Sequence, residues 1–258
     1  MGVVAVREER PEGGHLIRLT IDNAKKLNTI GRALMVEIVE TIERLEADRD
    51  LRLVILTGAG ERAFVGGADI TELAVLDRDT ARDFITLVHR CCDGLRRLAV
   101  PVIARIDGYA LGAGLELAAA CDLRVASERA MFGMPEVRVG IPSVVEAALL
   151  ARLCGPGRAR WLVMTGETID ARQALDWGLI EKSVPASALD RSVDHALDCI
   201  LAGGGEAIRA QKRLCRLWEE APLAESIRAS IDAFAASYES TEPRERVAAF
   251  RRARKPKR

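Results

Sequence analysis

Residues 108–121 read GYALGAGLELAAAC, a glycine-interrupted apolar run that decides how the rest of the chain is interpreted. Apart from Tyr109 and Cys121, Glu116 is its only ionisable side chain. A carboxylate carried into an apolar helix start loses hydration worth several kcal/mol. Glu116 is therefore expected to be neutral, paired or chemically active.

A second isolated acid occurs in AMFGMPEVRVGIP (130–142), where Glu136 follows Pro135 and its backbone is expected to be extended or turned. Two such acids indicate an acid/base pair. The alternatives are an ion-paired glutamate on a helix surface for Glu116, and a loop acid paired with Arg138 or Arg129 for Glu136.

Composition limits the class of protein. The 258 residues include 38 basic and 38 acidic side chains, so no overall field attracts nucleic acid. The six cysteines show no CxxC spacing and the three histidines no ligand motif; we expect buried free thiols, a cytoplasmic location and no metal. The start, MGVVAVREER, carries charges where a signal peptide needs apolar residues.

Short β-rich runs at 17–21, 51–58, 102–108 and 122–127 alternate with helical patterns, which predicts an α/β fold. Apolar stripes predict helices over about 29–48 and 80–98. Beyond residue 200 the strand patterns stop, and two helices separated near Pro222 are expected. We therefore divide the chain into a core (1–200) and a helical oligomerisation segment (201–258).

Two glycine-rich turns offer backbone donors. AFVGGADITEL (63–73) leaves the Ala68 N–H free, while Asp69 and Glu72 match a helix-capping pattern. LGAGLE (111–116) opens a helix whose first N–H groups, including that of Ala113, favour an oxyanion. Two such donors can hold one carbonyl oxygen; each cluster alone also fits a tight turn. GAGERA (58–63) and GAGLEL (112–117) match the dinucleotide fingerprint too weakly to predict a nicotinamide cofactor.

Over nearly its whole length the chain resembles the crotonase (enoyl-CoA hydratase/isomerase) superfamily. The resemblance rests on six segments in family order: KKLNTI (25–30), AFVGGADITEL (63–73), IDGYALGAGLELAAACDLRVAS (106–127), FGMPEVRVGIP (132–142), TGETIDARQALDWGLIEKSVP (165–185) and AAFRRARKP (248–256). It implies a β/α spiral core with a C-terminal helical trimerisation segment, assembled as homotrimers or hexamers.

The resemblance also implies site roles. The N–H groups of Ala68 and Ala113 correspond to an oxyanion hole for an acyl-CoA thioester, and Glu116 and Glu136 to the hydratase carboxylates. Substrate and CoA contacts are implied at Lys25, Leu27, Ala63, Gly66, Asp69, Ile70, Tyr109, Gly112, Phe234 and Phe250.

The implied reaction is syn addition of water to a 2-enoyl-CoA, as in fatty acid metabolism, with no cofactor beyond the coenzyme A of the substrate. Glu116 is expected to activate water and Glu136 to transfer the proton at the α carbon. The alternatives are isomerisation, hydrolysis or decarboxylation of an acyl-CoA, RNA binding as in some crotonase relatives, and a noncatalytic scaffold. Neutral overall charge disfavours RNA, and no membrane association is expected.

Two features depart from the family pattern or remain open. Residues 140–150 read GIPSVVEAALL where many hydratases have a glycine-rich turn, and Ser143 with Glu146 predicts a capping box. The alternative makes Glu146 a third acid near the acyl pocket. The basic ending, RRARKPKR (251–258), is either a solvated terminus or a contact for CoA phosphates.

Overall fold

A computed structural model describes residues 1–10 and 14–253 of the chain. These residues form two compact units, one from Met1 to His195 and one from Ala196 onward. Apart from Arg251, Arg252 and Ala253, the basic ending lies outside the described residues.

The described residues contain ten strands: β1 (Gly2–Glu9), β2 (His15–Asp22), β3 (Leu51–Gly58), β4 (Ala63–Val65), β5 (Val102–Ile106), β6 (Tyr109–Leu111), β7 (Leu123–Ser127), β8 (Met131–Gly133), β9 (Thr168–Asp170) and β10 (Lys182–Val184). They also contain eleven α-helices: α1 (Arg32–Glu46), α2 (Ile70–Leu73), α3 (Arg78–Arg97), α4 (Ala113–Ala120), α5 (Leu150–Cys154), α6 (Pro156–Thr165), α7 (Ala171–Trp177), α8 (Leu189–Leu201), α9 (Gly205–Glu220), α10 (Leu223–Ser237) and α11 (Glu242–Ala253).

The strands form two sheets that repeat the same connection. The larger sheet has the order β1-β2-β3-β5-β7-β10 and the smaller one β4-β6-β8-β9. The pairs β3–β4, β5–β6 and β7–β8 each place their first strand in the larger sheet and their second in the smaller one. Pairing is parallel except for β1 with β2 and β8 with β9. This repetition is the predicted spiral, and the α/β prediction is confirmed.

The regular elements follow their apolar patterns closely. Strand β3 covers the predicted 51–58, because the run LRLVILTG is buried at nearly every position, as expected for a central parallel strand. Helix α1 begins three residues later than the pattern suggested. The reason is tertiary: Ile30 forms a β-bridge with Ala68, which holds the chain extended there.

The C-terminal unit is helical. The break predicted near Pro222 separates α9 from α10, and a further helix, α11, follows. Four cysteines are buried, but Cys199 and Cys215 are exposed, so the prediction of buried thiols is wrong for these two; none of the six forms a disulfide. In the ranges the structure describes, no helix has the length and apolar character needed to cross a bilayer.

Candidate active site

Helix α4 carries Glu116 into the interior. All eight residues of this helix are buried, and Glu116 is only 4% exposed. The helix packs closely on β4: a Cβ at Gly114 would lie 2.0 Å from the carbonyl oxygen of Val65. Only glycine permits this approach, so the glycine that interrupts the apolar run brings α4 against the smaller sheet.

One hydrogen bond stabilises the Glu116 carboxylate, whereas burial and the negative charges of Glu136 and Glu146 destabilise it. Its Oε1 accepts the N–H of Ala147 at 3.1 Å. Burial, followed by the negative charge of Glu136, raises the pKa of Glu116 to about 8, against the opposing effect of the Ala147 N–H. Glu116 is therefore mostly protonated at pH 7 in the free protein.

The side chain of Glu136 approaches the start of the same helix from a different segment of the chain. Glu136 belongs to a 3₁₀ turn, Pro135–Val139, that begins with proline. Its Oε2 accepts the Ser143 hydroxyl at 2.8 Å, and its Oε1 is so close to Gly112 that a Cβ there would lie 2.2 Å away. The two acids singled out in the sequence thus occupy one site, and the predicted partners of Glu136, Arg138 and Arg129, are not used. Arg129 instead pairs with Asp107 and Glu61.

The two proposed amide donors lie on neighbouring backbone segments. Ile30 donates to Gly67 and accepts from Asp69, so the intervening Ala68 N–H points away from this bridge. No backbone acceptor for Ala68 is found in residues 1–10 and 14–253. Ala113 is the first residue of α4, where an N–H has no acceptor one turn earlier. The loops touch, because a Cβ at Gly67 would lie 3.2 Å from the Leu111 carbonyl oxygen.

Asn28 organises the loop that supports Ala68, a role that the sequence did not reveal. It is fully buried with φ 55°, in the left-handed region that asparagine tolerates. Its Oδ1 accepts the Asn23 N–H, and its Nδ2 donates to the carbonyls of Ala59 and Ala63. The neighbouring Leu27 carbonyl accepts the Gly66 N–H at 2.8 Å. The only sequence signal was a short polar residue directly before an extended segment.

Replacement of Asn28 by alanine is expected to lower the free energy of unfolding by about 2–4 kcal/mol, because two buried hydrogen bonds and one partly buried one are lost and two carbonyls lose this donor. Urea unfolding followed by circular dichroism measures the change. Lys25→Ala, an exposed change in the same loop, is the matched control and should stay within about 0.5 kcal/mol of wild type. Equal stability of the two variants would contradict the role given to Asn28.

The remaining candidates in this unit lie around the same loops. Asp69 caps α2 by accepting the Thr71 N–H, as predicted, and Thr71 and Lys26 lower its pKa to about 2. Lys26, whose Nζ lies 3.0 Å from Asp69 Oδ2, makes this contact; Lys25 is exposed. Glu72 completes no capping box and instead accepts the Arg32 N–H at the start of α1, so that part of the prediction is wrong. Ala63 is buried in β4, whereas Ile70 and Tyr109 are exposed.

Phe234 and Phe250 lie in the C-terminal unit and share one cavity there. The cavity has a volume of about 1190 Å³ and is lined by residues of α9, α10 and α11, by the segment 202–204 that precedes α9 and by the segment 238–240 that joins α10 to α11. Both phenylalanines are exposed in the C-terminal unit.

The predicted Ser143–Glu146 capping box is absent. Ser143 donates to Glu136, and no side chain caps the 3₁₀ turn Val145–Leu149. Glu146 is buried, and its Oε1 lies 2.7 Å from His89 Nδ1 on α3. Ser143 and Glu146 bond to distant residues and not to the backbone of their own turn, because this turn packs against α3 and α4. The alternative, a third acid close to the site, fits better, since the charge of Glu146 contributes to the raised pKa of Glu116.

A family model described as enoyl-CoA hydratase/isomerase matches residues 12–257. The chain belongs to this family. It is 34% identical to the short-chain-enoyl-CoA hydratase of Clostridium acetobutylicum, covering 94% of this chain and 93% of the relative. It is 33% identical to the crotonyl-CoA hydratase of Syntrophomonas wolfei, covering 98% and 96%.

Solved structures share the fold of this chain. The crystal structure of enoyl-CoA hydratase from Bacillus anthracis superposes with a TM-score of 0.91 at 30% identity, over 98% of this chain and 97% of that one. Pseudomonas aeruginosa DspI gives a TM-score of 0.90 at 30% identity, over 98% and 96%. The predicted crotonase fold is therefore confirmed.

Proposed function

We propose that this protein is an enoyl-CoA hydratase that adds water in syn geometry to a 2-enoyl-CoA thioester. The observation that carries the proposal is the placement of two carboxyl groups, Glu116 and Glu136, at one helix start beside the loops of Ala68 and Ala113. The names of the relatives support the same activity.

In this proposal, the Ala68 and Ala113 N–H groups bind the thioester carbonyl oxygen and stabilise the enolate-like charge that develops on it. Each donor contributes about 10²- to 10³-fold in rate. Both donors are backbone groups, so alanine at these positions serves as well as glycine.

In each turnover one glutamate accepts a proton and the other donates one. One carboxylate accepts a proton from water as its oxygen bonds to the β carbon, and the other carboxyl group gives a proton to the α carbon. The pair thus begins and ends with a single proton, which is the state favoured at pH 7 by the raised pKa of Glu116. We assign water activation to Glu116 and α-carbon protonation to Glu136. In the free protein the shared proton is on Glu116. This proton must therefore move to Glu136 before water adds to the double bond.

For the rest of the substrate we propose contacts at Lys25, Leu27, Ala63, Gly66, Asp69, Ile70, Tyr109, Gly112, Phe234 and Phe250. The exposed phenylalanines of the C-terminal unit support a homotrimer or a dimer of trimers, and the cytoplasmic location remains a prediction. A role in fatty acid metabolism and the lack of a cofactor remain predictions.

The proposal is tested by a screen of enoyl-CoA thioesters for loss of the conjugated double-bond absorbance, with mass measurement of the product. A gain of one water supports hydration. An unchanged mass with a shifted double bond would establish an isomerase instead, and release of free coenzyme A a hydrolase.

If the Glu116–Glu136 pair must carry one proton to react, kcat/KM should fall at alkaline pH. Below an apparent pKa of about 8 the pair keeps its proton; above it both groups are ionised and kcat/KM should fall about tenfold per pH unit. The measurement is crotonyl-CoA hydration from pH 6 to 9.5. A rate that instead rises through pH 8 would mean that the fully ionised pair is the active form.

A further inference from the structure

The turn that holds Glu116 is strained. Val145 has φ 41°, in the left-handed region, where a β-branched side chain is a genuine outlier. Such a conformation is unfavourable by itself and persists only when surrounding contacts impose it. The turn is closed by the Ala147 N–H, which donates to the Val144 carbonyl at 2.9 Å and also to Glu116 Oε1 at 3.1 Å. The residues that impose this strain therefore control a contact to the proposed catalytic acid.

Glu146 is the residue between the strained position and this donor. Its side chain is buried, and its Oε1 lies 2.7 Å from His89 Nδ1, so the ring donates to the carboxylate when Nδ1 carries the proton. Its Oε2 is also buried and has no hydrogen-bond partner among the residues described. A buried carboxylate with one unsatisfied oxygen is costly, and its single good partner must hold it firmly.

His89 connects this turn to a rigid element. It lies on α3, a helix of 20 residues that packs against α4 and against the turn, and half of its side chain is exposed. The exposed ring can be replaced without opening a cavity in the core. Besides the His89 ring, the charges of Asp93 and Arg96, both also on α3, act on Glu146.

Glu146 is also linked to Glu116 through its charge. The charges that act on it are those of Glu136 and Glu146, from two separate turns. Cys92 on α3 lies near both Glu116 and Glu146. Burial, followed by the charges of these two acids, raises the pKa of the Cys92 thiol, which is therefore neutral. Glu146 therefore affects Glu116 in two ways, through the position of the Ala147 N–H and through its own charge.

We propose that His89 and Glu146 form a positioning pair: by holding the Val145–Leu149 turn in its strained conformation, they keep the Ala147 N–H on Glu116. This inference rests on the proposed hydratase function for its kinetic consequence, but not for its structural one. Neither residue touches the substrate in this proposal.

The first experiment distinguishes the hydrogen bond made by His89 from the packing of its ring. His89→Phe keeps an aromatic ring and removes the donor, and kcat should fall about 10²-fold with little change in KM, because Glu116 is displaced. His89→Asn places an N–H donor near the position of Nδ1 and should restore most of the activity. Glu43→Gln, which removes the negative charge from an exposed pair with Arg90, is the control and should leave kcat unchanged. Equal rates in wild type and His89→Phe, or equal losses in Phe and Asn, would overturn the proposal.

The second experiment needs no substrate. The infrared band of a neutral carboxyl group is followed against pH, and its loss in Glu116→Gln assigns the titration near pH 8 to Glu116. Glu146→Gln keeps the shape of the side chain and the oxygen that accepts from His89, so the Ala147 N–H stays in place and only the charge is lost; this titration should therefore move to lower pH. An unmoved titration would overturn the coupling even if hydration is found. A shifted titration in a protein that hydrates no enoyl thioester would overturn the proposed function and leave the coupling standing.

Discussion

Glu116→Gln and Glu136→Gln are each expected to lower kcat for crotonyl-CoA hydration by about 10²- to 10⁴-fold, the usual contribution of a general acid or base. Glutamine preserves the size of each side chain and its ability to accept the hydrogen bond from Ala147 or Ser143, but it cannot exchange a proton. Steady-state kinetics at pH 7 measure the effect. Glu128→Gln, an exposed acid on the loop that precedes β8, is the matched control and should retain the wild-type rate.

Stability provides a check that these losses are chemical. The pKa of Glu116 is about 8 in the folded protein, above its ordinary value of 4.5, so the folded state binds more protons than the unfolded state between those values. Folding stability is therefore reduced as the pH rises through this window. Glu116→Gln should remove that loss and be more stable than wild type at pH 8. An inactive variant that is also unfolded would not support the catalytic role, and near-normal rates in either variant would remove it.

Gly114→Ala is expected to give the second large effect, on both folding and catalysis. Its Cβ would lie 2.0 Å from the Val65 carbonyl oxygen, so α4 must move away from β4. Overpacking of this kind costs about 1–3 kcal/mol. The movement also displaces the Ala113 N–H, and loss of one oxyanion donor lowers kcat about 10²- to 10³-fold.

The matched control for this substitution is Gly157→Ala. Gly157 lies inside α6, and a Cβ there meets no atom within 4 Å. Alanine should stabilise that helix by about 0.5–1 kcal/mol without affecting kcat. Thermal unfolding and steady-state kinetics on both variants test the pair. If Gly114→Ala behaves like Gly157→Ala, the close approach of α4 to β4 is not required.

The sequence by itself was sufficient for features that depend on near neighbours. The run LRLVILTG predicted β3 at its true limits, and Asp69 predicted the cap of α2. The isolation of Glu116 and Glu136 in apolar surroundings marked both as exceptional. Periodicity, caps and burial of this kind are set within a few residues along the chain, so they can be read without the fold.

Only the tertiary structure decided which distant groups meet. Glu116 accepts from Ala147, 31 residues away, and Glu146 pairs with His89, 57 residues away. The Ser143–Glu146 motif had a plausible local interpretation and failed, because a buried carboxylate takes the donor that packing supplies. The raised pKa of Glu116 has the same origin, since burial and the charge of Glu136 exist only once the turns are brought together around α4.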